Sequence, residues 1–326
     1  MKDRQMLVAA LILLIMIIGG CKAKPGKQDS VDFLTLKGPS AMGMIYLLDS
    51  QATAIPTKLK IEILDEPMMV RSRMLKDKPE LAVLPLNMGA ILYNMGLPYQ
   101  VIAIPVWGTL YLLGSDTTVS DWQSLKNKRI FLMGKGTTPD ILFRYLLDFH
   151  KLSADKDVIL DYSFPTHIDL ANAVTAGKAG LALISEPLVT LAQARNPLVR
   201  QFMDLNSEWS QAFPGNQMPQ TALLGRTDFI KDHPDWVISL CEAWIRSINQ
   251  VNKYPEEAAE RIVFHKILPD SGMAVKSIPG CNLKFRYASD IRPAIGQFLQ
   301  VFLTFNPDAI GGKLPDEKFI YQKPDN

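Results

Sequence analysis

Val31-Asp32-Phe33-Leu34-Thr35-Leu36, followed by Lys37-Gly38-Pro39-Ser40 and an apolar run to Asp49, is the stretch from which the fold is read. Six residues dominated by large apolar side chains predict a strand buried on both faces, and the Gly-Pro-Ser turn after it predicts a helix start. The unit recurs along the next seventy residues. Strands are predicted over Lys58 to Leu64, Glu80 to Pro85 and Gln100 to Val106, with helices over Pro67 to Lys76 and Asn87 to Met95. A βαβαβαβ order implies a mainly parallel sheet with helices on both faces.

A second run of the same kind starts near Asp121. It places a strand over Arg129 to Met133, the turn Gly134-Lys135-Gly136-Thr137-Thr138, and a helix from Pro139 to His150. Proline at the first helical position is a start signal, because its missing N–H has no partner there in any case. The strand Val158 to Phe164 follows, then a helix opened by Thr166 with Asp169 three residues on, close to a capping box. The strand Gly180 to Ser185 runs into Glu186-Pro187 and a short helix. Beyond Gln217 the pattern changes to one strand-like run, Met218 to Gly225, and then helices over Pro234 to Val251, Pro255 to His265 and Tyr287 to Phe305. A helical third that returns after a middle α/β unit predicts a discontinuous first lobe, residues 31–115 plus 218–326, with residues 116–217 as the second lobe. The hinge crossings fall around Gly108 to Ser115 and Gln217 to Leu224.

Ahead of Val31, Lys2 and Arg4 precede an apolar run from Leu7 to Ile18. Such a run rises only about 18 Å as a helix, too short for a hydrocarbon core of about 30 Å, so residues 1–20 read as a cleaved signal peptide. Ile18-Gly19-Gly20-Cys21 resembles a bacterial lipobox, with Ile18 where leucine is usual, and marks Cys21 for diacylglycerol attachment. Residues 21–30 hold Lys, Pro, Gly, Gln and Asp with no large apolar side chain, as a solvated tether does. The whole chain has 326 residues, 48% hydrophobic content and a formal charge of +2. That content is enough for two globular cores, and no basic stripe with interleaved aromatics points to nucleic acid. Export permits Cys241 and Cys281 to pair, but Cys241 lies in the apolar helical run Trp236 to Ile248 and reads as a buried core thiol.

This organisation, together with the lipobox, resembles the solute-binding proteins of ABC importers in the nitrate, sulfonate, taurine and pyrimidine-precursor group. The resemblance is carried by Leu34 to Ser40, Leu81 to Asn87, Asp121 to Ile130, Gly134 to Thr138 and Ile184 to Pro187. Asn127-Lys128 replaces the usual Gly-Lys. The resemblance implies a two-lobed type II periplasmic-binding-protein fold that closes over ligand in the interlobe cleft. By position it implies ligand contacts at Ser40, Ala41, Leu86, Asn87, Gly136, Thr137, Thr138 and Glu186; Met42 beside the first turn, and Trp107, Gly108 and Thr109 beside the hinge, are further candidates from their own chemistry.

Physical chemistry supports several of these positions. Ligands of open α/β sheets sit off the carboxyl ends of the strands, where helix amino termini present free N–H groups. Gly38-Pro39-Ser40 and Gly136-Thr137-Thr138 are such ends, one per lobe, and favour an anionic or electron-rich ligand; alternatively Ser40 and Thr138 only cap their own helices. Glu186 favours a ligand with N–H or O–H donors, or else serves only the helix start at Pro187. Trp107 stacks on a ring or packs, and the methionines near the first-lobe turns suit either an adaptable pocket or the core. His150, His167, His233 and His265 stand singly, and no nucleophile elbow, Cys-x-x-Cys pair or metal spacing occurs. The expectation is therefore a monomeric, lipid-anchored importer subunit on the periplasmic side or the cell surface. It takes no cofactor or metal, catalyses nothing, and has a membrane permease as its partner. An enzyme on the same fold and a tethered ligand sensor are the alternatives. A Cys21→Ala chain whose signal is cleaved is expected to leave the membrane fraction; retention as tight as the parent's contradicts the lipid anchor.

Overall fold

The computed structural model describes residues 30–49 and 58–323, so the signal segment, Cys21 and nearly all of the tether lie outside the described residues. Two sheets organise the chain. The first contains β1 (Ser30–Leu36), β2 (Lys58–Leu64), β3 (Leu81–Pro85), β4 (Tyr99–Trp107), β10 (Pro219–Arg226) and β11 (Leu283–Tyr287), in the order β11-β4-β10-β3-β1-β2. The second contains β5 (Leu110–Gly114), β6 (Arg129–Phe131), β7 (Ile159–Asp161), β8 (Leu181–Ser185) and β9 (Arg200–Asp204), in the order β7-β6-β8-β5-β9. β1 runs parallel to β2 and β3, and its inner residues Phe33 and Leu34 are buried, as the apolar run predicts. The helix expected through Asp49 is split at Met44 into Pro39–Gly43 and Ile45–Leu48.

Both sheets are mixed, which corrects the expectation of mainly parallel ones. β10 is antiparallel to β3 and β4, β11 is antiparallel to β4, and β5 is antiparallel to β8 and β9. The reason lies in the crossings. β5 and β10 carry the chain into each sheet from the other one, so they begin at the end where the parallel strands finish and run the opposite way. Leu110 lies opposite Ser185 at the end of β8, and Thr221 opposite Pro85 at the end of β3.

The first crossing falls at Gly108-Thr109. Leu110–Gly114, grouped with the first lobe from sequence, pairs with two strands of the second sheet, and all five of its residues are buried. The carboxy-terminal segment is also less confined to one lobe than expected. Its helix Arg292–Phe305 packs on the helix Thr138–Phe149 behind β6. Apolar burial holds this junction. Trp209, on the helix Leu205–Ala212, has its ring 4.5 Å from that of Phe213 and 5.8 Å from that of Phe298, while Tyr145 stacks on Phe213 at 5.5 Å. One connected core therefore runs from Leu34 through Leu110 and Ile130 to Phe298.

Cys241 and Cys281 are both free and buried. Burial pushes the Cys241 thiol up to about 12, as expected of a core residue. Among the described residues no helix is long and apolar enough to cross a membrane. Trp209 is fully buried where three helices meet. Trp209→Ala is expected to cost about 3–5 kcal/mol of unfolding free energy in a denaturant titration, and a loss below about 1 kcal/mol contradicts the role assigned to this cluster.

Candidate functional site

The strand ends of the two sheets face each other and meet in pairs. Gly38, with φ 95°, ends β1 and caps the helix Pro39–Gly43; a Cβ added to it would lie 3.7 Å from the Pro187 ring, at the end of β8. In the other pair, the Thr138 hydroxyl donates to Asn87 Oδ1 at 2.9 Å, and Asn87 donates in turn to the Ala309 carbonyl at 3.1 Å. Thr138 thus contacts the opposite sheet's turn instead of capping its own helix. Both pairs join turns picked out in the sequence.

The remaining predicted residues have other occupations. Thr137 donates its hydroxyl to the Met133 and Gly134 carbonyls and closes its own turn. The Gly136 N–H is taken by the Asp140 carboxylate at 2.7 Å, which also accepts from Arg144 and Tyr162. An internal carboxylate therefore already answers the positive end of that helix. Leu86 is core, and Ser40, Ala41 and Met42 are buried, with Met42 Sδ 4.0 Å from Cys281 Sγ. Trp107 packs, its indole N–H donating to the Lys284 carbonyl at 2.7 Å. Gly108 and Thr109 form the crossing itself, and the Thr109 N–H and hydroxyl both donate to Gln220 Oε1.

A cavity of about 580 Å³ opens between the two sheets' flanking elements. Its lining includes Tyr111, Glu186, Gln201 and Asp204 from the second unit and Lys276 and Asn282 from the first. Of the twelve candidate residues, Glu186 is the one that lines it. Several lining groups already have partners. The Tyr111 hydroxyl donates to the Gly280 carbonyl at 2.9 Å, the Asn282 amide donates to the Gly108 carbonyl, and Asp204 caps the helix that follows it through Asn206 N–H at 2.9 Å. Gln193, Gln201 and Lys276 make no side-chain hydrogen bond or ion pair among the described residues, so they remain available to a ligand.

Glu186 is 7% exposed. β8 delivers it to the cavity and its N–H pairs with the Thr109 carbonyl at 3.0 Å, while Pro187 ends the strand so that the helix begins at Leu188. Its carboxyl accepts from the Thr190 N–H at 3.1 Å and the Thr190 hydroxyl at 2.9 Å. On the far side the Gly280 backbone presses against it, since a Cβ added there would lie 2.9 Å from Glu186 Cγ and Oε1. Burial pushes the carboxyl up to about 7, and the two Thr190 bonds pull it only part of the way back. Near neutral pH such a group accepts hydrogen bonds when charged and donates one when protonated. Among the described residues no group of histidine, cysteine and carboxylate side chains is arranged to hold a metal ion.

The residues that sequence reading passed over carry weak local signals. Tyr111 sits in a stretch read as hinge, Gln201 and Asp204 in an edge strand with two exposed charged or polar residues, and Lys276 to Asn282 between two predicted helices, where the sequence suggests no element. Glu186 is singled out in the sequence because it stands at a strand end, where the resemblance also implies a ligand contact.

No family model matches the chain. A putative binding protein of Bacillus subtilis, YtlA, is 24% identical over 138 residues, which is 42% of this chain and 38% of that relative, so the likeness spans well under half of its length. Among solved structures, an ABC transporter from Parabacteroides distasonis superposes with a TM-score of 0.79 at 28% identity over 91% of this chain and 100% of the other. The periplasmic aliphatic sulphonate binding protein SsuA of Escherichia coli superposes with a TM-score of 0.73 at 13% identity over 91% of this chain and 94% of that one. Coverage of almost the whole of both chains shows that this protein has the two-lobed fold of the periplasmic binding proteins.

Proposed function

We propose that the protein is the extracytoplasmic solute-binding subunit of an ABC importer, tethered to a bacterial membrane through a lipid on Cys21. The observation that carries this reading is a polar cavity of about 580 Å³ lined from both lobes, with one buried carboxyl, Glu186, in its wall. That volume suits a small organic molecule. The fold supports the same reading, as do the binding-protein names of its neighbours, one of them a sulphonate binder and one an ABC transporter. Catalysis would call for a nucleophile, base and acid in mutual reach; among the described residues the hydrogen bonds to the Glu186 carboxyl come from Thr190.

In this reading the ligand lies between the lobes, the crossings at Gly108-Thr109 and near Gln220 act as hinge, and the closed protein hands its cargo to a permease. The ligand presents an N–H or O–H group to Glu186, while Gln193, Gln201 and Lys276 supply further polar contacts. Native mass spectrometry of the purified protein identifies the molecule that co-purifies, and calorimetric titration then measures it. Glu186→Gln is expected to weaken binding by about 1 to 3 kcal/mol, roughly 5- to 150-fold, as the loss of a charge-assisted hydrogen bond does. Equal dissociation constants remove Glu186 from the site.

A further inference from the structure

We propose that closure of the two lobes over Glu186 takes up a proton at its carboxyl, so that acidification favours the closed form of the ligand-free protein. The proposal rests on the reading above that the lobes move, and it adds a regulation of that site. Its basis is what meets the carboxyl on each side. From its own helix, Thr190 supplies two hydrogen bonds and Gln193 stands further along the cavity wall. From β5 comes the Tyr111 hydroxyl, already donating to the Gly280 carbonyl, and at the end of β9 stands Asp204, a second acid.

The opposite lobe contributes little that stabilises charge. Its Gly280 backbone lies against the carboxyl, next to the buried thiol of Cys281, whose own proton is held more tightly through burial and the nearby Glu186 charge. Lys276 lines the cavity but is exposed and forms no ion pair with Glu186. The closing surface therefore removes water from Glu186 without giving it a donor or a cation. Withdrawal of Gly280 on opening returns water to the carboxyl.

A group moved from water to such a site favours its neutral form. With Gly280 against it, burial pushes the Glu186 carboxyl up to about 7, against 4.5 for a solvated glutamate. A raised value stabilises the closed form fully below the solvated value, and that advantage is lost as pH rises through the closed-state value. Within this window the ratio of closed to open protein changes by up to about tenfold per pH unit.

The test uses spin labels on Met68→Cys and Ile168→Cys, both exposed, in the first turns of the helices that follow edge strands β2 and β7, one in each lobe. Cys21→Ala supplies the background, and the buried Cys241 and Cys281 stay unlabelled. Pulsed electron spin resonance of the ligand-free protein is expected to show a short-distance population several-fold larger at pH 5.5 than at pH 8.5. Glu186→Gln is expected to keep that population at both values, whereas Gly280→Ala, whose added carbon collides with Glu186, is expected to keep the long distances at both. A parent distribution indifferent to pH, or a Glu186→Gln response equal to the parent's, overturns the proposal. Lobe motion that ignores pH overturns proton uptake alone, while labels that never move in any of these proteins overturn the binding reading with it.

Discussion

The Gly108 N–H donates to the Met218 carbonyl at 2.9 Å, and its carbonyl accepts from the Asn282 amide. This small knot is where the chain leaves the first sheet and where it returns. A Cβ on Gly108 would lie 2.6 Å from the Met218 methyl and 2.7 Å from Asn206 Cβ, so only glycine allows the two crossings to touch. The direction of β5 and β10, and hence the mixed character of both sheets, follows from crossing here. So does the meeting of strand ends that brings Gly38 to Pro187 and Asn87 to Thr138.

Given that geometry, the electrostatics between the lobes are set by which charges are already answered. The positive end of the Thr138–Phe149 helix is met by Asp140 through the Gly136 N–H, so the anion site suggested by Gly136-Thr137-Thr138 has an internal occupant. Glu186 is in the reverse situation. It is a buried acid with no cation paired to it among the described residues, held by one threonine and covered by a glycine. Leaving it isolated carries a desolvation cost that a hydrogen-bond donor or a proton would lower, which is why the proposed ligand contact is placed on it.

Much of the fold was legible in sequence because parallel strands buried on both faces read as short apolar runs, as in Phe33 to Leu36 and Leu181 to Ile184. Helix starts were legible for the same local reason: the Thr166 hydroxyl does accept from the Asp169 N–H, at 3.1 Å. Three strands were not. Leu110–Gly114 follows β4 after only two residues and falls within the stretch read as hinge, Arg200–Asp204 is an edge strand with exposed polar residues, and Leu283–Tyr287, although it alternates Leu, Phe and Tyr with Lys and Arg, is an edge strand embedded in a largely helical stretch. The site was less legible than the fold, since its walls combine residues more than eighty apart, such as Glu186 with Lys276 and Asn282. A helical segment carries no local mark that its loop will close over an acid from another lobe.

Capture of a small molecule by closure is the central claim, and small-angle scattering of the protein with and without its co-purified ligand tests it most directly. The account predicts a smaller radius of gyration for the liganded protein than for the ligand-free one. Saturating ligand, verified by calorimetry, that leaves the profile unchanged would contradict it.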